Sequence, residues 1–472
     1  MRVVLWSLAL VTFATSLFGG DPKWIHIQNE NFSVYSSAGE TDTRSALNHF
    51  ERVRGFFIQL TGAPPAKPVP IFVTIFGSEK EYQPFRFNEV AAAYYTSQAG
   101  RDYIVLGKTG ENATRIVTHE YAHLVFKHAG FNLPLWMNEG LAELFSTVSP
   151  LGKDTEFGNV IPGRLQELQL SSWIPFQILL AVDHDSPAYN ESKRAGMFYA
   201  ESWALVHMLT TTNEFRGKFS NLLQAVQSGT PSARALETTY GMPLAKIETI
   251  LQQYVRGDSF RKLVTRIQLE NIESLPAQPA DMFAVRALEA DLLSGLKGKR
   301  PEALKRYEEL TREDPKRPEP WIGLGYIAWY GNDREVAAEN FAKAYELGAR
   351  SPKLLWDYGR VSEGISAQNA ARAFSELLKL EPDNSEARLE LAAMQMNLRQ
   401  FAAALDTVRG LQSVSTNEQR DRALNIRANA AMQVGDRVEA RKIAGELKRL
   451  TENPDFASRA DAMLRYLDQT EK

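Results

Sequence analysis

The sequence predicts an α+β domain followed by an all-α solenoid. Three observations carry that expectation. Residues 21–262 mix alternating, strand-like stretches with amphipathic helical ones. The segment Pro276-Ala277-Gln278-Pro279-Ala280 then reads as a linker, assigned to 263–279. From 280 to 472 only helical spacing recurs, in paired helices with a period of about 34 residues.

The chain starts with Arg2 and an apolar run from Val3 to Phe18, with small Ala14 and Ser16 near its end. Residues 1–20 are expected to be a secretory signal and the mature chain exported, to periplasm or medium. The other reading is an uncleaved membrane anchor, although the run falls slightly short of the ~18 residues that span a bilayer. Trp24–Tyr35 alternates like two strands around a turn at Asn29-Glu30-Asn31. Ala46, Phe50, Val53, Phe57 and Leu60 recur at helical spacing within 40–60. Strands are expected at Val69–Phe76, where Pro70 implies either an edge position or a start just after it, and at Ala91–Thr96 and Tyr103–Leu106, the last two joined by 98–102. Helices follow at Asn112–Ala129 and Leu135–Val148, then a loop at Ser149–Gly163. Helical patterns return at Leu165–Leu170, Phe176–Val182, Ala195–Thr210 and Phe215–Gln227. In the last third, Trp321-x-x-Leu324-Gly325-Tyr326 pairs with Ala338, Phe341 and Ala344. Leu355-x-x-Tyr358-Gly359 pairs with Ala370 and Phe374. These units resemble tetratricopeptide repeats, and the stretch has room for five plus a cap. No unit can bury its apolar face alone, so neighbours must stack.

Composition narrows the chemistry. There are 54 Lys and Arg against 57 Asp and Glu, a net charge of −3, which offers no basic excess for nucleic acid. Cysteine is absent, so disulfides, thiolate nucleophiles and Cys-ligated metals are excluded. Any metal site must use Asp, Glu and the seven His.

Thr118-His119-Glu120-Tyr121-Ala122-His123 places two imidazoles four residues apart, on one helical face a turn from each other. That suits two nitrogens on one zinc ion, with Glu120 beside the metal as general base for water. The bland alternative is a chance match on a surface helix, which the apolar neighbours Ile116, Val117, Leu124 and Val125 oppose. Downstream, Glu139 and Glu143 lie one turn apart in Pro134-Leu135-Trp136-Met137-Asn138-Glu139-Gly140-Leu141-Ala142-Glu143. Two carboxylates in an apolar stretch need partners if buried. A metal and an imidazole would serve, and an exposed acidic stripe is the alternative.

HEYAH followed by WMNEGLAE resembles the gluzincin metallopeptidases, and in particular the peptidase MA-like domain of exported bacterial proteins, often joined to tetratricopeptide repeats. The resemblance implies an α+β gluzincin-type domain with His119, His123 and Glu139 as zinc ligands, and Glu143 bonded to an imidazole, His119 first among the two. A third-His metzincin pattern fails at Ala129. Met197-Phe198-Tyr199-Ala200-Glu201-Ser202-Trp203-Ala204-Leu205-Val206 is similar to the family's FYAxSWALV segment, which implies that Tyr199 stabilises the oxyanion. Read alone, Tyr199 would be a core aromatic. Asn138 and Trp136 are expected to pack and turn the chain, His128 to lie on the surface and His207 in the core. His26, His49 and His184 show no partner pattern, and Asp183-His184-Asp185 reads as a solvated loop.

The expectation is a zinc-dependent peptide-bond hydrolase with Glu120 and Tyr199 catalytic, and Ala91–Thr96 as a strand along which a peptide substrate aligns. The clan's aminopeptidases carry Gly-x-Met-Glu-Asn there, and Ala91-Ala92-Ala93-Tyr94-Tyr95 lacks it, so endopeptidase action is favoured. The partners are a peptide or protein substrate and a protein bound at the repeats, with a membrane only if the signal is retained. The competing reading is a repeat-based interaction module with a structural or vestigial metal domain. If the repeats recruit substrate, deleting residues after 279 should raise KM for the native substrate and spare short peptides.

Overall fold

The computed structural model describes residues 23–469 apart from 63–69, 88–90, 108–110, 184, 187–191, 258–259, 268–271, 412–413 and 415. The expected signal segment and His184 lie outside the described residues. By contacts the chain divides into two units. One runs to Pro84 and from Leu106 to Ala280. The other joins Phe85–Val105 to the chain from Asp281 onward. The fold is an N-terminal α+β region followed by a helical array, as the periodicities require.

In the first unit, β1 (Ile25–Gln28) and β2 (Phe32–Ser36) pair antiparallel. Asn29 makes their turn, its side-chain oxygen accepting from the amides of Asn31 and Phe32. Helix α1 (Glu40–Thr61) is the crossover that lets β3 (Ile71–Ile75) pair parallel with β2. Within the expected linker, Gln278–Pro279 pairs antiparallel with β1.

The expected loop at 149–163 contains two short strands, Ser149–Leu151 and Asp154–Phe157, which pair with each other, and Leu263–Thr265 joins the second. They carry no local alternation to read. Their hairpin is held from a distance by Arg52 on α1, whose guanidinium donates to the carbonyls of Asp154 and Gly152 at 2.8 and 3.1 Å.

Four helices build the site region. They are α2 (Glu111–His128), α3 (Leu135–Phe145), α4 (Pro162–Leu170) and α5 (Ser192–Thr211). The core side of α2 is Val117, Tyr121, Ala122, Leu124 and Phe126. Ile116, expected to be buried, is exposed. It lies three residues before His119 and so shares the site-facing side of the helix. All of α3 is buried except Asn138, which is half-buried. It lies against α5 at Gly140, where a Cβ would stand 2.3 Å from the Ser202 carbonyl oxygen and 2.6 Å from Val206.

The second unit holds β4 (Ala93–Gln98) and, as far as Val105, β5 (Arg101–Leu106), a hairpin closed by Ala99 and Gly100 alone. Both turn residues have positive φ, 49° and 70°, the signature of a type I′ turn. An alanine there is costly by about 1–2 kcal/mol, but its methyl is buried in the cluster around Tyr326. At Gly100 a Cβ would stand 2.1 Å from the Tyr326 hydroxyl. The Tyr103 hydroxyl donates to buried Asp291, as does that of Tyr307 at 2.5 Å.

Eleven helices follow among the described residues, α6 (Met282–Gly295) to α16 (Pro454–Gln469), as five consecutive pairs and a final helix. The first helices of the pairs begin at Met282, Pro318, Pro352, Ser385 and Asn417. A device recurs between paired helices. A Cβ on Gly325 would stand 2.5 Å from Phe341, and one on Gly359 would stand 2.5 Å from Phe374. Each glycine seats the phenyl ring of the following helix, so the Gly–Phe spacing read in the sequence is a packing contact.

Candidate metal centre

Helix α2 ends at His128, where Gly130 at φ 72° turns the chain and Phe131 returns its amide to the Phe126 carbonyl. Only residues 129–134 separate α2 from α3. This tight connection sets the second helix beside the first, so Glu139 meets the two histidines.

His119 Nε2 and His123 Nε2 are 3.2 Å apart. Glu139 Oε2 is 3.2 Å from the first and 3.3 Å from the second. Four donors at ~2.0–2.1 Å around a tetrahedral zinc ion lie about 3.3 Å from one another. The three described donors have that separation, so a His, His, Glu set fits the ion. Glu139 is buried, which ought to raise its carboxyl, but the hydrogen bonds and charges of both imidazoles hold it down at about 2. Burial lowers His123, yet Glu139 and Asn138 outweigh it and its value is raised.

Asn138, expected to pack and turn the chain, instead faces an imidazole of the site. Its side-chain oxygen is 2.8 Å from His123 Nδ1. A proton on Nδ1 leaves the Nε2 lone pair facing Glu139 and His119, the arrangement a metal needs. The signal was present, since Asn138 adjoins Glu139, but a residue beside a motif does not announce where its amide points. Trp136 is packing, as expected, with Nε1 donating to Ser232.

Glu143 is buried and paired, which removes the exposed-stripe alternative. Its Oε1 is 3.8 Å from His119 Nδ1, beyond hydrogen-bond range. That oxygen accepts from Arg164 Nε at 3.0 Å and Nη2 at 2.5 Å, and Oε2 is 3.7 Å from Arg115. Arg164, on α4, was not anticipated. It also lies over the Tyr199 ring, 5.0 Å from its centre. Tyr199 on α5 is half-buried with its ring 6.2 Å from that of His119. Glu120 is half-buried on α2 between the two histidines.

Of the other histidines, His207 is in the core as expected, between Tyr254 and the Gly158 carbonyl, and burial lowers it to about 4. His128 is exposed. His49 and His26 do have partners, Thr118 at 2.6 Å and Ser33 at 2.9 Å.

Two residues beyond Tyr199, Glu201 is fully buried and accepts from the Ile174 amide at 2.6 Å. Burial raises its carboxyl from 4.5 to about 8. The folded state therefore holds a proton that the unfolded state gives up above 4.5. This contribution to stability is complete below pH 4.5 and is lost as pH rises to about 8. Glu201→Gln is expected to flatten that decline, stabilising the chain at pH 8.5 by on the order of 2–4 kcal/mol with little change at pH 4.5. Melting curves across that range test it; parallel curves for both proteins would show that Glu201 is not protonated in the fold.

Residues 56–257 match the sequence model of the Peptidase MA superfamily. The N-terminal region is therefore similar to the Peptidase MA superfamily over those residues, and an array of paired helices follows it. Cellulose synthase operon protein C of Pseudomonas fluorescens (strain SBW25) is 26% identical over 172 residues, covering 34% of this chain and 13% of that protein. Among solved structures, YrrB, a tetratricopeptide-repeat protein with an unusual peptide-binding site, is 18% identical with a TM-score of 0.32, covering 38% of this chain and 90% of its own. MamA is 20% identical with a TM-score of 0.29, covering 36% and 91%. Among the described residues no helix is long and apolar enough to cross a membrane.

Proposed function

We propose that the N-terminal domain, expected at 21–262, is a zinc-dependent peptide-bond hydrolase of exported type, acting as an endopeptidase. The repeats at 280–472 then bind substrate or a partner protein. The observation that carries this reading is the tetrahedral spacing of His119, His123 and Glu139 with Glu120 on the same helix. Zinc, when bound, would supply a Lewis acid toward the substrate carbonyl and lower the pKa of water toward ~7. Asn138 holds the His123 tautomer, and Glu143 places negative charge behind His119. Glu120 accepts the proton of the attacking water and returns it to the leaving amine. Tyr199 donates to the oxyanion of the tetrahedral intermediate.

Glu120→Gln tests the assignment. The amide keeps the shape of the side chain but cannot take a proton. Zinc content by elemental analysis is expected to be unchanged, while hydrolysis of a mixed peptide pool falls about 10³-fold. Equal hydrolysis by the variant would refute the role of Glu120. Zinc binding with no hydrolysis by either protein would favour the interaction-module reading.

A further inference from the structure

Resting on that reading, we propose that Arg115 and Arg164 form an anion-binding subsite that selects substrates with a carboxylate next to the cleaved bond. A cavity of about 1120 Å³ opens in the first unit, lined by His49, Arg115, Glu156 and Arg164 among others. Two of its lining residues, Arg115 and Arg164, lead to the metal centre through one side chain. Glu143 faces His119 with Oε1, and its two oxygens address Arg164 and Arg115.

The charges do not balance. Two guanidinium groups face one carboxylate. Glu156 is engaged elsewhere, with Lys262 at 3.3 Å and Asn159 at 3.1 Å. His49 is held neutral at about 4, first by burial and then by the charge of Arg52. One positive charge is left over on the cavity wall. The donors are also in surplus. Arg164 uses Nε and one Nη on Glu143, and Arg115 is 3.7 Å from it, outside hydrogen-bond range. A guanidinium is a planar fork that matches a carboxylate in two bonds at once. A neutral occupant would desolvate that cation without replacing its lost hydrogen bonds. Position matters as much as charge. Arg164 covers Tyr199, whose ring is next to His119, so a carboxylate held here is one side chain from the reacting centre. The carboxylate can be an Asp or Glu side chain, or the free C-terminus of the substrate.

Two decapeptide pools separate these sources. Both are randomised and N-acetylated; one is C-amidated and the other ends in a free carboxylate. Each is incubated with the zinc-loaded full chain and the cuts are read by mass spectrometry. An acidic side-chain anchor gives cuts beside Asp or Glu in the amidated pool, at least about tenfold over Asn or Gln. A C-terminal anchor gives cuts near the end of the free pool only. In either case Arg115→Ala is expected to reduce the preference about tenfold with zinc content intact. Cleavage indifferent to charge, or a preference unchanged in Arg115→Ala, overturns the subsite. If neither pool is cut, the hydrolase reading fails separately, and calorimetry with acetyl-Ala-Ala-Asp-Ala, which carries both kinds of carboxylate, decides the subsite. Binding lost in Arg115→Ala supports it, and no binding by the parent protein overturns it.

Discussion

Glu139→Ala is expected to abolish stoichiometric zinc uptake, and hydrolysis with it. Three donors hold the ion in this reading, and Glu139 is the one that brings negative charge. Its loss leaves two neutral imidazoles from one helix, and affinity is expected to fall by about 10³-fold or more. The fold should survive better than the site, because α3 keeps its apolar face and its contact at Gly140 with α5. Elemental analysis of protein purified without added metal or chelator gives the answer, with circular dichroism to confirm folding. About one zinc per chain in the parent and none in the variant would confirm the carboxylate ligand. Equal zinc in both would mean that the ion sits elsewhere.

Asp291→Ala is expected to destabilise the second unit by about 3–5 kcal/mol. The carboxylate is buried and accepts from the hydroxyls of Tyr103 and Tyr307, with Arg101 at 3.5 Å. Alanine would remove one acceptor shared by two buried hydroxyls and the ion pair with Arg101. Denaturant unfolding measures the loss, and hydrogen exchange across 93–106 should rise with it. A change under about 1 kcal/mol would show that water replaces the carboxylate. The same contacts bear on the role of the repeats. Deleting everything after 279 removes Asp291, Tyr307 and Tyr326, the residues on which the β4–β5 hairpin rests. A higher KM in such a truncation would not by itself show that the repeats recruit substrate.

Local order was legible in the chain. The four-residue spacing in His119–His123 and Glu139–Glu143 needs only helical geometry to put each pair on one face. The recurrence of Gly325 with Phe341 and of Gly359 with Phe374 marks helix pairs for the same reason. Such patterns depend on a backbone period, and a period can be counted in one dimension. The tertiary structure decided which side chains close the site. Asn138 turns to His123, Arg164 reaches Glu143 from 21 residues away, and Arg52 pins a hairpin with no alternation of its own. It also decided that the β4–β5 hairpin belongs with the repeats and that Glu201 is buried, where its carboxyl is raised. These pairings satisfy buried polar groups across long loops. Their cost and gain depend on what surrounds each group in space, and no spacing along the chain encodes that.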